Sequence, residues 1–291
     1  MNNQIKGWIF FLITIFFFST VEVVTKPVSG QINPYQMTFL RFFIGGIILL
    51  FYMLIKKEYR KTKITFKDIV VISAIGSLNS VISMSLLQVA VSLTSASTAA
   101  ILISSNPVFV IFAAAVFLNE KLTLKKIFSA AVGVLGLSAI IISKSSGDSL
   151  KGILIGILAS VIFSFYTVFV KKYTKNIPGS VFAPISFIFP SVIFYFILMM
   201  RGINPFAVNY SFNLLCVILY TGIFVTGIAY ITFFEGIKRL DASVGSFSYL
   251  LKPLISTILS VIFLGEIPGL MKIFGLCLII ISILLVATKK Y

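Results

Sequence analysis

The sequence contains no histidine, two cysteines and eight acidic residues among its 291 residues. Histidine supplies many general bases and metal ligands near neutral pH. The cysteines, Cys216 and Cys277, lie in apolar stretches without the spacing of a zinc or redox site, and no glycine-rich loop for nucleotide phosphates is present. These absences argue against an enzyme of the triad, metal or paired-carboxylate kind and against direct use of ATP. We expect no cofactor, no metal and two buried, unreactive thiols.

Apolar residues dominate the chain instead. Hydrophobic residues make up 59% of it and charged residues 11%, and the mean hydropathy is +1.10, far from the composition of a soluble domain. A helix of about 20 apolar residues crosses the hydrocarbon core of a bilayer. Ten such runs lie near residues 6–27, 34–55, 69–91, 95–118, 124–143, 151–171, 179–200, 212–235, 241–264 and 269–288. The sequence therefore predicts an all-α membrane protein with ten transmembrane helices.

The formal net charge of +16 follows membrane sidedness rather than a nucleic-acid surface. If the amino terminus lies inside the cell, most lysines and arginines fall in inner segments. The outer segments hold only Lys26, Lys144, Lys151, Arg201 and Lys272. Because the more basic side normally faces the cytoplasm, we predict a multi-pass protein of the bacterial plasma (inner) membrane with both termini cytoplasmic. The lipid bilayer is then a partner, and nucleic acid is not.

The chain repeats itself after about half its length. At an offset of 146 residues Pro107 matches Pro253, Glu120 matches Glu266 and Lys126 matches Lys272; at an offset of 145, Lys26 matches Lys171. Residues 1–143 and 144–291 are thus expected to be two copies of one five-helix unit. Because five is odd, the second copy enters the membrane from the opposite side, which makes the halves inverted repeats. In transporters such repeats enclose a substrate site near the midplane.

Several local motifs resemble one family. They are NPYQMTFLRFF at Asn33–Phe43, LNE at Leu118–Glu120 and LGE at Leu264–Glu266, together with ten spans and a proline in spans four and nine. The sequence is similar in these respects to the EamA family of the drug/metabolite transporter superfamily. The resemblance implies a ten-helix exporter or permease, with helices one to four and six to nine around a central cavity and helices five and ten peripheral. Asn119 stands where the family usually has glycine.

Lys252 lies near the bilayer centre in the ninth run. A charged side chain at that depth costs about 2.5–3.5 kcal/mol on insertion scales, so it normally faces a partner or a wet cavity. Two interpretations stay open: Lys252 binds substrate or takes part in coupling, or it forms an internal pair with a carboxylate or with carbonyls. Ser246 and Tyr249 precede it at helical spacing, so we expect all three on one cavity-lining face.

Two prolines occupy matching positions, Pro107 in the fourth run and Pro253 in the ninth. Proline removes one backbone hydrogen bond, so each predicts a local helix break or kink. Asn106, next to Pro107, takes the place that mirrors Lys252 and is a second candidate for substrate binding.

Glu22 is the one acidic residue well inside an apolar run. A rise of about 1.5 Å per residue places it at a depth similar to that of Arg41. We therefore expect an ion pair between Glu22 and Arg41, with or without Lys26, that joins the first two helices. The alternative is that Glu22 takes up a proton or meets a substrate ammonium.

Other polar residues in the apolar runs are candidates for substrate contact: Asn79, Gln88, Tyr166 and Tyr230. The amides are included because large amides seldom face lipid, and the tyrosines could equally be packing or interfacial aromatics. Ala130, Gly133 and Gly136 recur at three-residue spacing in the fifth run, which suits close helix packing and a possible homodimer. For Glu120 and Glu266 we expect a role in ordering loops.

These features predict a secondary transporter that moves small organic solutes by alternating access. One basic group and many hydroxyls or amides suit amino acids or related metabolites, with Lys252 contacting the carboxylate. A proton-coupled exporter of cationic drugs that uses Glu22 is the alternative. A membrane scaffold without transport is the alternative from another class.

Overall fold

The ten apolar runs form ten helices in a computed structural model that describes residues 3–143, 147–173, 177–237, 239 and 245–287, without the side chains of residues 237, 245–250, 286 and 287. The helices are α1 Asn3–Thr25, α2 Pro34–Lys56, α3 Phe66–Leu93, α4 Ala96–Leu118, α5 Leu124–Ser143, α6 Leu150–Tyr173, α7 Gly179–Met200, α8 Phe212–Gly236, α9 Gly245–Leu264 and α10 Leu270–Ala287. Helices α1 to α8 are each long and apolar enough to cross a membrane. In α9 and α10 the apolar stretches are Leu251–Leu264 and Leu270–Leu285. The prediction of an all-α membrane fold is confirmed.

Alternate crossings give the bundle two sides. We call the side that carries the beginning of α1 and the end of α10 the termini side, and the opposite side, with the loops after α1, α3, α5, α7 and α9, the far side.

Proline interrupts α4 but not α9. Helix α4 consists of two segments, Ala96–Ser104 and Asn106–Leu118, and Pro107 stands in the first turn of the second. At Pro253 the helix is not interrupted, because α9 continues through this residue, and a kink there stays a prediction. Proline removes one backbone donor and leaves the other turns of the helix intact.

The third helix of each half contains a π-helical segment, Leu78–Ser83 in α3 and Thr221–Ile228 in α8. Segments of this kind are rare and are often found at functional sites. Their matching places support the internal duplication, although no feature of the sequence alone indicated them.

Helices α5 and α10 pack tightly against each other at the edge of the bundle. The Ser129 hydroxyl donates to the Ser282 carbonyl at 2.6 Å, and the Ser282 hydroxyl donates to the Ser129 carbonyl at 2.7 Å. Gly133 and Gly136 face α4 and α10. The small-residue stripe of α5 therefore serves packing within the chain and is not available as a dimer contact.

Gly136→Ala should destabilise the protein by about 1–3 kcal/mol, as overpacking of a close contact usually does. A Cβ at this position would lie 2.8 Å from the Gly275 carbonyl oxygen. The clash should outweigh the gain of about 1 kcal/mol from the better helix propensity of alanine. Thermal unfolding of the detergent-solubilised protein measures the change. Gly30→Ala is the control, because nothing lies within 4 Å of its Cβ position. Equal melting temperatures for the two variants would contradict the packing account.

Cys216 and Cys277 are exposed on the outer surfaces of α8 and α10. The expectation of buried thiols is wrong. Apolar surroundings in a sequence do not distinguish a side chain packed inside the bundle from one that faces lipid.

Candidate functional site

A cavity of about 210 Å³ lies in the middle of the bundle and is lined by residues of α1 to α4 and α6 to α9. It extends from the level of Arg41, Ser104 and Lys252 to Val170 and Phe182, near the termini-side ends of α6 and α7. Its wall is mainly apolar and aromatic. The aromatic lining residues are Phe18, Phe163, Tyr166, Phe182, Tyr230, Phe233 and Phe234.

Lys252 pairs with Glu22 at the cavity. Its Nζ lies 2.7 Å from Glu22 Oε1, and α1 packs directly against α9. Glu22 is 1% exposed, and its second carboxylate oxygen, Oε2, has no hydrogen-bond partner among the described residues. Of the two interpretations of Lys252, the structure therefore agrees with the internal pair between this lysine and a carboxylate.

The expected ion pair between Glu22 and Arg41 or Lys26 is wrong for this structure, and among the described residues neither cation pairs with Glu22. Lys26 Nζ donates instead to the carbonyls of Val91, at 2.9 Å, and Thr94. The expectation was based on the similar depths of the Glu22 and Arg41 backbone positions. It did not take into account the long side chain of Lys252, whose ammonium lies well away from its own Cα.

Arg41 lies in the cavity wall and is 7% exposed. Its Nε donates to the Thr226 hydroxyl at 2.9 Å, and its guanidinium lies 5.2 Å from the centre of the Phe42 ring. The hydrogen bond joins α2 to the π-helical segment of α8, a connection between the two halves that sequence reasoning did not find.

Three of the predicted substrate contacts line the cavity, namely Lys252 and the two tyrosines. Tyr230 packs edge-on against Phe187, with ring centres 4.8 Å apart, and Tyr166 stacks on Phe163 at 5.5 Å. The side chains of Ser246 and Tyr249 lie outside the described part of the structure.

The three predicted amides are buried but do not line this cavity. Asn106 donates to the Ser160 carbonyl at 3.4 Å. Asn79 is fully buried, and its amide lies beside the Tyr230 hydroxyl of the cavity wall without a hydrogen bond of good geometry to a described residue. Gln88 is 6% exposed. An amide that avoids lipid can pack against another helix as well as face a cavity, and the sequence could not separate these cases.

On the far side, beyond the residues that line the cavity, a carboxylate from another loop binds the first turn of α4. Glu266, in the loop after α9, accepts hydrogen bonds from the backbone N–H groups of Ala96 at 2.6 Å and Ser97 at 3.0 Å, and from the Ser97 hydroxyl at 2.8 Å. Free N–H groups and the helix dipole make a helix amino terminus a favourable place for a carboxylate. The contact therefore ties the loop after α9 to α4.

A buried ion pair lies beside this contact. Lys272, which is 2% exposed, lies 3.2 Å from Asp148 and donates to the Ser95 hydroxyl at 2.9 Å. Asp148 also accepts from the Ser95 N–H and the Thr98 hydroxyl, each at 2.7 Å. We call these contacts of Glu266, Asp148 and Lys272 the far-side network.

The matching residues on the termini side are arranged differently. Glu120, the counterpart of Glu266, pairs with Lys126 at 2.8 Å and Lys171 at 2.9 Å. Hydrogen bonds from Lys126 and Lys171 hold the pKa of the Glu120 carboxyl below its ordinary value. On the far side the counterpart lysines, Lys272 and Lys26, bind other partners. The two ends of the duplicated fold therefore hold equivalent residues in two different arrangements.

Sequence reasoning missed Asp148 and Ser95 and identified Lys272 only as an outer basic residue and the counterpart of Lys126. The doubled spacing of glutamate and lysine, Glu120 with Lys126 and Glu266 with Lys272, was the available indication. It marked equivalent positions but could not show that the two copies bind different partners.

A duplicated bundle of ten helices around a central cavity, with a network of polar contacts on one side, defines a multi-pass membrane carrier of small solutes. The profile of the EamA-like transporter family matches residues 5–142 and again residues 150–288. The chain belongs to the EamA-like transporter family, as its motifs predicted, and the family match in both halves supports the duplication.

Similar proteins carry transporter names. An uncharacterized transporter of Clostridium kluyveri is 36% identical over 95% of this chain and 91% of its own length. An S-adenosylmethionine uptake transporter of Rickettsia bellii is 27% identical over 60% of this chain and 59% of its own. A probable terminal-alkyne amino-acid exporter of Streptantibioticus cattleyicolor is 24% identical over 66% and 64%. One crystal structure shares the fold, with a TM-score of 0.68, 22% identity and coverage of 98% of this chain and 95% of the other.

Proposed function

We propose that the protein carries amino acids or related small zwitterionic metabolites across the bacterial plasma membrane by alternating access, with its termini side in the cytoplasm. In this account residues 1–143 and 144–291 rock against each other around the cavity. The structure then corresponds to the inward-facing state, because the cavity extends toward the termini side and the far-side network closes the other end.

The observation that carries this proposal is the difference between the two ends. Glu266 binds the amino terminus of α4, whereas its counterpart Glu120 binds Lys126 and Lys171. We propose that the first arrangement belongs to a closed end and the second to an open end. When the far side opens, Glu266 would leave α4 and pair with Lys272 and Lys26, as Glu120 does with its own lysines.

The lining of the cavity suits a solute that has charged groups and an apolar side chain. Arg41 and the pair of Glu22 with Lys252 supply charge, and the aromatic wall supplies a surface for an apolar side chain. One relative is named as an exporter of an amino acid and another as a transporter of S-adenosylmethionine, and both of these solutes carry an amino-acid ammonium and carboxylate.

Two alternatives remain as outcomes of the test. A proton-coupled exporter of cationic drugs would need a free carboxylate, and Glu22 Oε2, which has no hydrogen-bond partner among the described residues, is the group that favours it. The ion pair with Lys252 disfavours it, because protonation of Glu22 would break that pair. A membrane scaffold would move no solute.

Counterflow in proteoliposomes tests the proposal. Vesicles that contain the purified protein and are loaded with an unlabelled mixture of amino acids should take up labelled leucine or phenylalanine faster than protein-free vesicles. Uptake of quaternary amines driven by a proton gradient would support the drug exporter. Absence of any flux across amino acids, nucleosides and quaternary amines would support the scaffold.

A further inference from the structure

We infer that Arg41 binds the acidic group of the solute and so selects solutes that carry a carboxylate. This inference rests on the proposed transport function and changes one of its details, because the sequence had favoured Lys252 for that contact. The structure gives the two cations of the cavity wall different partners.

Lys252 is already neutralised. Its ammonium lies 2.7 Å from Glu22, a carboxylate that is 1% exposed. A solute carboxylate at Lys252 would compete with a buried, fully charged partner. Separating such a pair leaves an uncompensated buried charge, which is strongly unfavourable.

Arg41 has no carboxylate within ion-pair distance among the described residues, and Tyr230 and Glu22 act on it only through longer-range electrostatic attraction. Among the described residues its guanidinium makes one hydrogen bond, from Nε to the neutral hydroxyl of Thr226. The side chain is 7% exposed and forms part of the cavity wall. An arginine stays protonated in proteins, so it cannot relieve its burial by losing a proton as a lysine can.

The geometry of the guanidinium indicates the class of ligand. Nε is occupied by Thr226, and the two terminal nitrogens, Nη1 and Nη2, make no hydrogen bond to a described residue. These nitrogens form a planar pair of donors that matches the two oxygens of a carboxylate. The neighbouring aromatic wall suits an apolar group attached to that carboxylate. The preferred ligand is therefore an apolar or aromatic molecule with a carboxylate.

Benzoate and benzamide are the probes for this assignment, so the natural solute is not required. The two molecules share shape and ring, and only benzoate carries the negative charge. Isothermal titration of the detergent-solubilised protein should show benzoate binding about 10- to 100-fold more tightly than benzamide, the usual effect of a charge-assisted pair of hydrogen bonds. Arg41→Gln should abolish this preference, and Arg41→Lys should keep part of it.

Two control variants separate binding from a structural role. Thr226→Val removes the acceptor of Arg41 Nε but leaves the guanidinium in place, so the preference for benzoate should persist even if stability falls. Arg201→Gln removes a positive charge from an exposed position beyond the far-side end of α7 and should change nothing.

The outcomes distinguish this inference from the proposed function. Equal binding of benzoate and benzamide by the unchanged protein, or a preference that survives Arg41→Gln in a folded variant, overturns the role of Arg41. If the preference depends on Arg41 but no amino acid is transported, the role of Arg41 stands and the proposed solute class fails.

Discussion

Lys252→Met should abolish transport and destabilise the protein by about 3–5 kcal/mol, because it leaves Glu22 as an uncompensated buried charge. Glu22 is 1% exposed and Lys252 is its only ion-pair partner among the described residues. Glu22→Gln should destabilise the fold for the same reason, since Lys252 is then left without its carboxylate. Counterflow measures transport, and chemical unfolding in detergent measures stability.

The double variant Glu22→Gln, Lys252→Met separates the two effects. With both charges removed, stability should return to near that of the unchanged protein, while transport should stay lost. Lys151→Met is the matched control, because Lys151 is exposed. The drug-exporter alternative predicts that Glu22→Gln abolishes flux while Lys252→Met has a mild effect. That pattern, with no recovery in the double variant, would contradict a central role for the pair.

Glu266→Ala should open the far side. The substitution removes the acceptor for two backbone N–H groups and one hydroxyl at the start of α4. Each hydrogen bond to a charged group contributes about 1.5–3 kcal/mol, so local opening should become at least about tenfold more frequent. Hydrogen exchange followed by mass spectrometry should show faster exchange of the Ala96 and Ser97 amides.

The control for this experiment is Ile267→Ala, at a neighbouring side chain that is 87% exposed. It alters the same loop without touching α4, so exchange at residues 96 and 97 should not change. If Glu266→Ala also left that exchange unchanged, the carboxylate would not hold the far side closed. Lys272→Met should have a larger effect, because it leaves Asp148 buried without its cation.

The sequence predicted the elements of this fold well because each of them is a local property. An uninterrupted apolar run indicates a spanning helix wherever the helix packs, and the ten runs match the observed helices within a few residues. The break at Pro107 was also local. At Pro253 the helix is not interrupted, because the loss of one backbone donor does not by itself end a helix.

The partners of the charged groups could not be predicted in the same way. The pairing of Lys252 with Glu22 depends on the contact between α9 and α1, which are more than 200 residues apart in the sequence. The contact of Glu266 with α4 depends on two loops that meet only in the folded bundle. The inverted repeat predicted that equivalent residues exist at both ends, but not that the two ends differ.

The most direct test of the account is the side from which the cavity can be reached. Phe18 lines the cavity from the middle of α1, so Phe18→Cys, in a background with Cys216 and Cys277 replaced by serine, places a reporter thiol there. A membrane-impermeant maleimide applied to sealed vesicles of each orientation measures the rate of modification. We predict rapid modification from the cytoplasmic side, slow modification from the outside, and a higher outside rate when Glu266→Ala is added. Faster modification from the outside in the parent variant, or an outside rate unaffected by Glu266→Ala, would contradict an inward-facing carrier closed by the far-side network.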